Sequence, residues 1–358
     1  MNKRECTSFQ EFYQCGLGEA DYPQKIQCFL AAEKYLKELC EPPVADVINL
    51  YLQMADCYFQ VKDFDAAIAV SQKIIQLDSE RAEGFFLLAN GYFAKEMYSQ
   101  ALKAYVIAMQ IDFENPVYHY HAGLTLSHLE EYQYAIISFD KAIEKDPDNA
   151  EYYFCRGYSY HQLIEKTENK KENIFHAEQD YSHAIAIQPS HAGYYYHRAH
   201  FWRDIEQYEP AIIDFTRALE LPFENLDAIY RERAWAYSRL NRYTEALEDY
   251  QRVLSVHPDW EQPLYERGVV YFHLKRYSDC ISDMQKVIEI FHENAYAHYY
   301  SGLAYFYRGK RQKALEHLNF AEELGVNEAY LAIHDINNGK KPSLESYCEG
   351  KILIKSVE

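Results

Sequence analysis

Pro116–Asn149 reads PVYHYHAGLTLSHLEEYQYAIISFDKAIEKDPDN. The stretch holds two amphipathic helical patterns separated by a break at Glu130-Glu131. Small residues (Gly123, Ala135, Ala142) stand where the two helices must touch. Asp146-Pro147 ends the second helix, because proline lacks an amide proton and clashes with the preceding turn. The same 34-residue frame fits the chain again and again, starting near Ile48, Ala82, Pro116, Ala150, Ala192, Asp227, Glu261 and Ala295.

Numbered from the first residue of each repeat, position 8 reads Ala55, Ala89, Gly123, Gly157, Ala199, Ala234, Gly268 and Gly302. Position 20 reads Ala67, Ala101, Ala135, Ala177, Ala211, Ala246, Cys280 and Ala314. Position 11 is large throughout: Tyr58, Tyr92, Leu126, Tyr160, Trp202, Tyr237, Tyr271 and Tyr305. Two helices close to a short interaxial distance only where side chains are small, and large neighbours then fill the flanks. Position 17, at the expected start of the second helix, is aromatic in six repeats: Phe64, Tyr98, Tyr132, Tyr208, Tyr243 and Tyr277. Proline at position 32 (Pro147, Pro189, Pro258) stops the second helix.

This pattern resembles the tetratricopeptide repeat, over residues 48–328. The resemblance implies an all-α fold, a right-handed alpha-alpha superhelical solenoid of about eight repeats with helical caps, and a role in binding other proteins. Departures are local: Ser79, Phe113, Phe223 and His292 replace the terminal proline, and Arg311 replaces the aromatic of the eighth repeat. Residues 1–47 read as an N-terminal helical cap, a divergent repeat. It has a short helix around Phe9, Phe12 and Tyr13, a longer one around Ile26, Phe29, Leu30 and Leu36, and a break at Pro42-Pro43. Residues 329–358 read as a C-terminal capping helix, Ala329–Asn338, stopped by Gly339 and followed by a tail. The fourth repeat carries an insertion within 163–175 (LIEKTENKKENIF), polar and mixed in charge, which fits a solvated loop or a docking loop.

Composition narrows the function. Glycine and proline are sparse, at 13 and 11, as a mostly helical chain requires. A net charge of -19 opposes nucleic acid binding, which needs clustered Lys and Arg, and suits a partner with basic segments. The start, MNKRECTSFQEF, has no basic-then-apolar signal, and no stretch is apolar enough for a membrane span. Eight cysteines (6, 15, 28, 40, 57, 155, 280, 348) are scattered without CxxC pairing, which points to free thiols and a cytoplasmic setting.

Position 7 is arginine in repeats four to seven (Arg156, Arg198, Arg233, Arg267), and the same four repeats carry aspartate at position 23 (Asp180, Asp214, Asp249, Asp283). The other repeats have neither. Residue types that appear and vanish together predict an ion pair between the two helices of each repeat, bidentate and register-fixing. The functional alternative is four arginines lining a groove that grips an acidic ligand.

Positions 2, 5, 9 and 12 of the first helix share a face beside the buried stripe at 4, 8 and 11. By the family resemblance that face lines the concave surface where peptides or helices bind. Position 5 reads Leu52, Phe86, Tyr120, Phe154, Tyr196, Arg231, Tyr265 and Tyr299, and position 9 includes Asn90, Tyr158, His200 and Trp235. The candidate ligand-binding residues are therefore Phe86, Asn90, Tyr120, Phe154, Tyr158, Tyr196, His200, Arg231, Trp235, Tyr265 and Tyr299. A row of exposed rings is costly unless covered; packing between neighbouring repeats covers them equally well. The chaperone-tail-binding branch of the family grips an acidic C-terminus with lysine at position 5 and asparagine at position 9, followed by further Asn, Lys and Arg. Only Asn90 matches, which disfavours that ligand. Apolar or aromatic anchors fit better, with basic flanks near Glu232 and Glu266.

Fifteen histidines include His197 and His200 on one helix and the neighbours His119 and His121, but no convergent set of three or four metal ligands is visible. A pH-sensitive groove through His128, His161 and His200 is a weaker possibility. There is no phosphate loop, nucleophile elbow or HExxH, and repeats and caps consume the chain. The sequence thus reads as a non-enzymatic protein-protein interaction scaffold without cofactor or metal. The alternative is a structural subunit that assembles through its ends or convex face.

Overall fold

The computed structural model describes residues 8–38 and 42–342. The expected tail beyond Pro342 lies outside the described residues, as do Cys6, Cys40 and Cys348. Among the described residues the regular structure is entirely helical, and the chain divides into two compact halves, residues 1–189 and 190–358.

The first half carries α1 (Phe9–Gly18), α2 (Tyr22–Glu38), α3 (Val44–Gln60), α4 (Phe64–Leu77), α5 (Ala82–Ala94), α6 (Tyr98–Ile111), α7 (Pro116–His128), α8 (Tyr132–Lys145), α9 (Ala150–Leu163) and α10 (Lys170–Ile187). Each helix packs on the next, and α7 also touches α9. The second half carries α11 (Ala192–Asp204), α12 (Tyr208–Leu219), α13 (Leu226–Arg239), α14 (Tyr243–Val256), α15 (Glu261–His273), α16 (Tyr277–Ile290), α17 (Ala295–Tyr307), α18 (Arg311–Glu323) and α19 (Asn327–Asn337). Successive helices again pack together, and α15 touches both α13 and α17. The first helices of these adjacent pairs therefore lie side by side.

Local chemistry sets the helix ends. Asn115 and Asn149 accept the amide protons of Val117 and Glu151 at the starts of α7 and α9, and α1 opens with a capping box between Ser8 and Glu11. The position 17 rings are the first residues of α4, α6, α8, α12, α14 and α16. Ahead of each lies a turn whose left-handed backbone left no sign in the sequence. At position 15, Lys62, Glu96, Glu130, Glu206, Asn241 and Lys275 hold φ between 57 and 60°, and Gly309 holds 76°. The next amide donates back to the position 11 carbonyl, as from Asp63 to Tyr58 and from Arg276 to Tyr271, both at 2.9 Å. This left-handed closure satisfies the carbonyls that the first helix leaves open.

The small residues at positions 8 and 20 meet a third column, position 24, where Tyr105, Phe139, Phe215, Tyr250 and Met284 are fully buried. A Cβ added at Gly123 would lie 2.6 Å from the Phe139 ring, and one at Gly268 would lie 2.6 Å from Met284 Cε. The glycines at position 8 thus make room for the large side chain that fills the repeat.

The insertion in the fourth repeat departs from both loop readings. Lys170 to Phe175 are helical and lengthen α10 to 18 residues, leaving a short turn at 164–169. Asn173 is buried and donates to the Leu163 carbonyl at 3.2 Å and to Thr167 Oγ1 at 2.8 Å, pinning the extension to the end of α9. A polar run that supplies its own turn acceptors folds as helix where a packed helix already follows it.

Left-handed backbone costs a non-glycine residue about 1–2 kcal/mol, and glycine recovers part of this against its larger unfolded-state entropy. Glu96→Gly and Lys275→Gly should each raise stability by ~0.5–1 kcal/mol, and Gly309→Ala should lower it by about 1 kcal/mol, in urea denaturation.

Candidate functional site

The four arginines at position 7 turn inward. Arg156 donates Nε and Nη2 to Asp180 at 2.8 and 2.7 Å, and Arg198 does the same to Asp214 at 2.7 and 2.8 Å. Arg233 reaches Asp249 at 2.7 and 2.9 Å, and Arg267 reaches Asp283 at 2.8 Å through both nitrogens. The aspartates are buried, and the guanidinium planes lie near tyrosine rings, as Arg233 does over Tyr230 and Tyr237. The remaining nitrogen reaches back to position 25 of the preceding repeat, from Arg156 Nη1 to Asp140 at 2.6 Å and from Arg233 Nη1 to Thr216 at 3.0 Å. These guanidinium groups are engaged within the stack rather than held out for an acidic ligand.

In the first half, Phe86, Asn90, Tyr120, Phe154 and Tyr158 are each half-buried. Phe86 packs on Tyr105 of its own repeat at 5.9 Å and on Tyr118 of the next at 5.1 Å. Tyr120 repeats this with Phe139 and Tyr152, at 6.1 and 5.0 Å. The position 5 ring is thus wedged between position 24 of its own repeat and position 3 of the following one, with part of its surface open. Asn90 accepts the Tyr105 hydroxyl at 2.6 Å, so its carbonyl is engaged in the core.

In the second half, Tyr196, His200, Arg231 and Trp235 are half-buried. Tyr265 and Tyr299 correct the expected groove: they are 3% and 0% exposed and belong to the packed interior around α15 and α17. His200 packs edge-on to Tyr196 and Phe215, and burial pushes it down to about 4. It stays neutral around pH 7, which removes it from any pH-sensing role there.

A cavity of about 510 Å³ opens in this half, lined by residues of α11, α13 and α15, of the turn after α11 and by Tyr208 at the start of α12. A chain of alternating charges runs along it. Arg203 donates to Asp204 through Nη2 at 2.7 Å and to Glu232 through Nη1 at 2.6 Å. Arg231 bridges Glu232 and Glu266, with Nη1 3.3 Å from Glu266, and Gln262 donates to the same Glu266 oxygen at 3.1 Å. Arg239 lies over Tyr208 and Trp235 at 5.5 and 5.6 Å. Glu232 and Glu266, expected to attract basic flanks, are buried beneath these arginines instead. Burial pushes Glu266 up to about 7, against the opposing pull of Arg231.

Models of the tetratricopeptide repeat match residues 48–81, 128–163 and 228–260. The chain is a tetratricopeptide-repeat (TPR) protein. It is 39% identical over 79 residues to serine/threonine-protein phosphatase 5 of Rattus norvegicus, covering 22% of this chain and 16% of the phosphatase. It is 25% identical over 177 residues to the DnaJ homolog subfamily C member 7 homolog of Dictyostelium discoideum, covering 46% and 32%. The chain therefore spans less than a third of the curated relatives it matches. Among solved structures, YrrB, a TPR protein with an unusual peptide-binding site, is 24% identical at a TM-score of 0.47, covering 56% of this chain and 97% of YrrB. The pilF protein of Pseudomonas aeruginosa is 14% identical at a TM-score of 0.49, covering 61% and 96%. A TPR fold points to protein-protein interaction as the general role of the chain. No helix among the described residues is long and apolar enough to cross a membrane.

Sequence reading of this TPR protein missed Arg203 and Gln262 as site residues. They occupy positions 12 and 2, on the face whose positions 5 and 9 were followed, and reading those columns together would have found them.

Asp249→Ala strands a buried guanidinium and should cost ~3 kcal/mol. Arg233→Met combined with Asp249→Ala should cost less than the sum of the single changes, measured by a double-mutant denaturation cycle. For Glu266, the folded value is raised to about 7 from 4.5, so its contribution to stability is greatest below pH 4.5 and is lost as pH rises through 7. Glu266→Gln should therefore gain up to about 3 kcal/mol relative to wild type between pH 5 and pH 8. Parallel denaturation curves for the two proteins across that range would rule this out.

Proposed function

We propose that this TPR protein is a non-enzymatic scaffold that holds a peptide or helical segment of a partner protein against the half-buried rings of its first helices. The observation that carries the reading is the wedged geometry of Phe86, Tyr120 and Tyr196: each ring is anchored on one side by the core and leaves apolar surface open on the other. Rings fixed in this way lose little entropy when a ligand covers them. Trp235 and the open faces of Arg203 and Arg231 add a polar anchor in the second half. Acidic chaperone tails fit this arrangement poorly, since the arginines are already held by buried carboxylates. Free thiols at Cys57, Cys155 and Cys280 suit a reducing, cytoplasmic setting.

A second reading, assembly through the second helices, is favoured by one observation. Tyr134 and Ile137 on α8 are 61% and 57% exposed, and Ile213 on α12 is 67% exposed. Apolar side chains this open are common at contact surfaces.

Affinity capture from the native cell separates the two. Tyr120→Ala, Tyr196→Ala and Trp235→Ala combined, with helicity checked by circular dichroism, should lose a partner that Ile137→Lys and Ile213→Lys together retain. The reverse pattern would transfer the binding surface to the second helices.

A further inference from the structure

The N-terminal helix pair brings two thiols together. Cys15 on α1 and Cys28 on α2 lie with their Sγ atoms 3.1 Å apart. Cys15 is exposed and Cys28 half-buried, so solvent-borne reagents reach the pair.

The approach is built into the backbone. Gly16, next to Cys15, is buried against Phe29, next to Cys28, and a Cβ at Gly16 would lie 2.4 Å from the Phe29 ring. The two helices therefore touch closely at the residues adjoining the thiols. Tyr13 packs on the same Phe29 ring at 5.8 Å and on Phe9 at 5.6 Å, which fixes the rotation of α1 on α2. The capping box at Ser8 fixes where α1 begins. Flanking contacts on both sides of Cys15 thus hold its side chain toward Cys28.

We propose that Cys15 and Cys28 form a modification site: a dithiol that closes to an intramolecular disulfide under oxidising conditions and locks the first helix of this TPR protein onto the second. With glutathione disulfide as oxidant, the Cys15 thiolate attacks one sulfur and releases a glutathione thiolate. The Cys28 thiolate then attacks Cys15 Sγ of the mixed disulfide and releases the second glutathione. Two electrons and two protons leave the pair, and one glutathione disulfide becomes two glutathiones. In a glutathione-rich reducing compartment the pair stays open. Closure restrains the segment from Cys15 to Cys28, which includes Lys25 near the start of α2, and slows local opening of the cap that covers α3.

The test incubates the full chain in glutathione redox buffers and maps disulfides by mass spectrometry after trapping free thiols with iodoacetamide. Expected are a Cys15–Cys28 link that survives in Cys6→Ser and Cys40→Ser chains and disappears in Cys15→Ser. Trypsin cleavage after Lys25 should slow about tenfold on oxidation. The proposal is overturned if, in buffers oxidising enough to bridge dithiothreitol, both thiols remain alkylated. It is equally overturned if each ends as a separate glutathione adduct, or if Cys15 pairs with Cys6.

Discussion

The close approach of the two helices in each repeat is the constraint on which everything else rests. Alanine, glycine or, once, cysteine at positions 8 and 20 lets the backbones come together, and in all but the first repeat, which has Ser71, a large side chain at position 24 fills the space behind them. Each part is useless alone: a small residue without the filler leaves a cavity, and a filler without the small residue clashes. Repetition of this three-way fit explains why the chain needs no large central core.

The ion pairs extend that constraint from one repeat to the next. A guanidinium with five donors can satisfy a buried aspartate through one edge and still reach position 25 of the preceding repeat through its other nitrogen. Lysine could not do both. Such pairs contribute little net stability, because desolvation offsets attraction, but they penalise any slip of one helix along the other. They are absent from the repeats of α3 to α8, where the same places hold apolar or small residues such as Met54 and Val70, both buried, and from the eighth repeat, which has Ser301 and His317.

The proposed binding face inherits its character from the packing beneath it. A ring at position 5 must first wedge against position 24, and only what remains open can meet a partner. That remainder varies along the chain. Tyr120 and Tyr196 keep an accessible edge, whereas Tyr265 and Tyr299 keep almost none. In the second half the face becomes polar, with carboxylates buried under arginines and the aromatic pair Tyr208 and Trp235 beside them. The two surfaces offer a ligand different chemistry within one architecture.

Much of this was legible in the residues. The 34-residue frame, the small columns and the aromatic starts of the second helices follow from periodicity, and the co-occurrence of arginine with aspartate pointed to a partnership. Those features depend on contacts within one repeat, which recur and so leave a statistical trace. What needed the tertiary structure was whatever arises only once. The helical course of Lys170 to Phe175 depends on Asn173 finding the end of α9. The left-handed residue at position 15 is masked by Lys, Glu and Asn, which give no glycine signal. The burial of Tyr265, Tyr299 and Glu266, and the meeting of Cys15 with Cys28, are set by which neighbour packs where. Periodicity assigns a side chain to a face of its helix; only the packed neighbours decide how much of that face remains open to water.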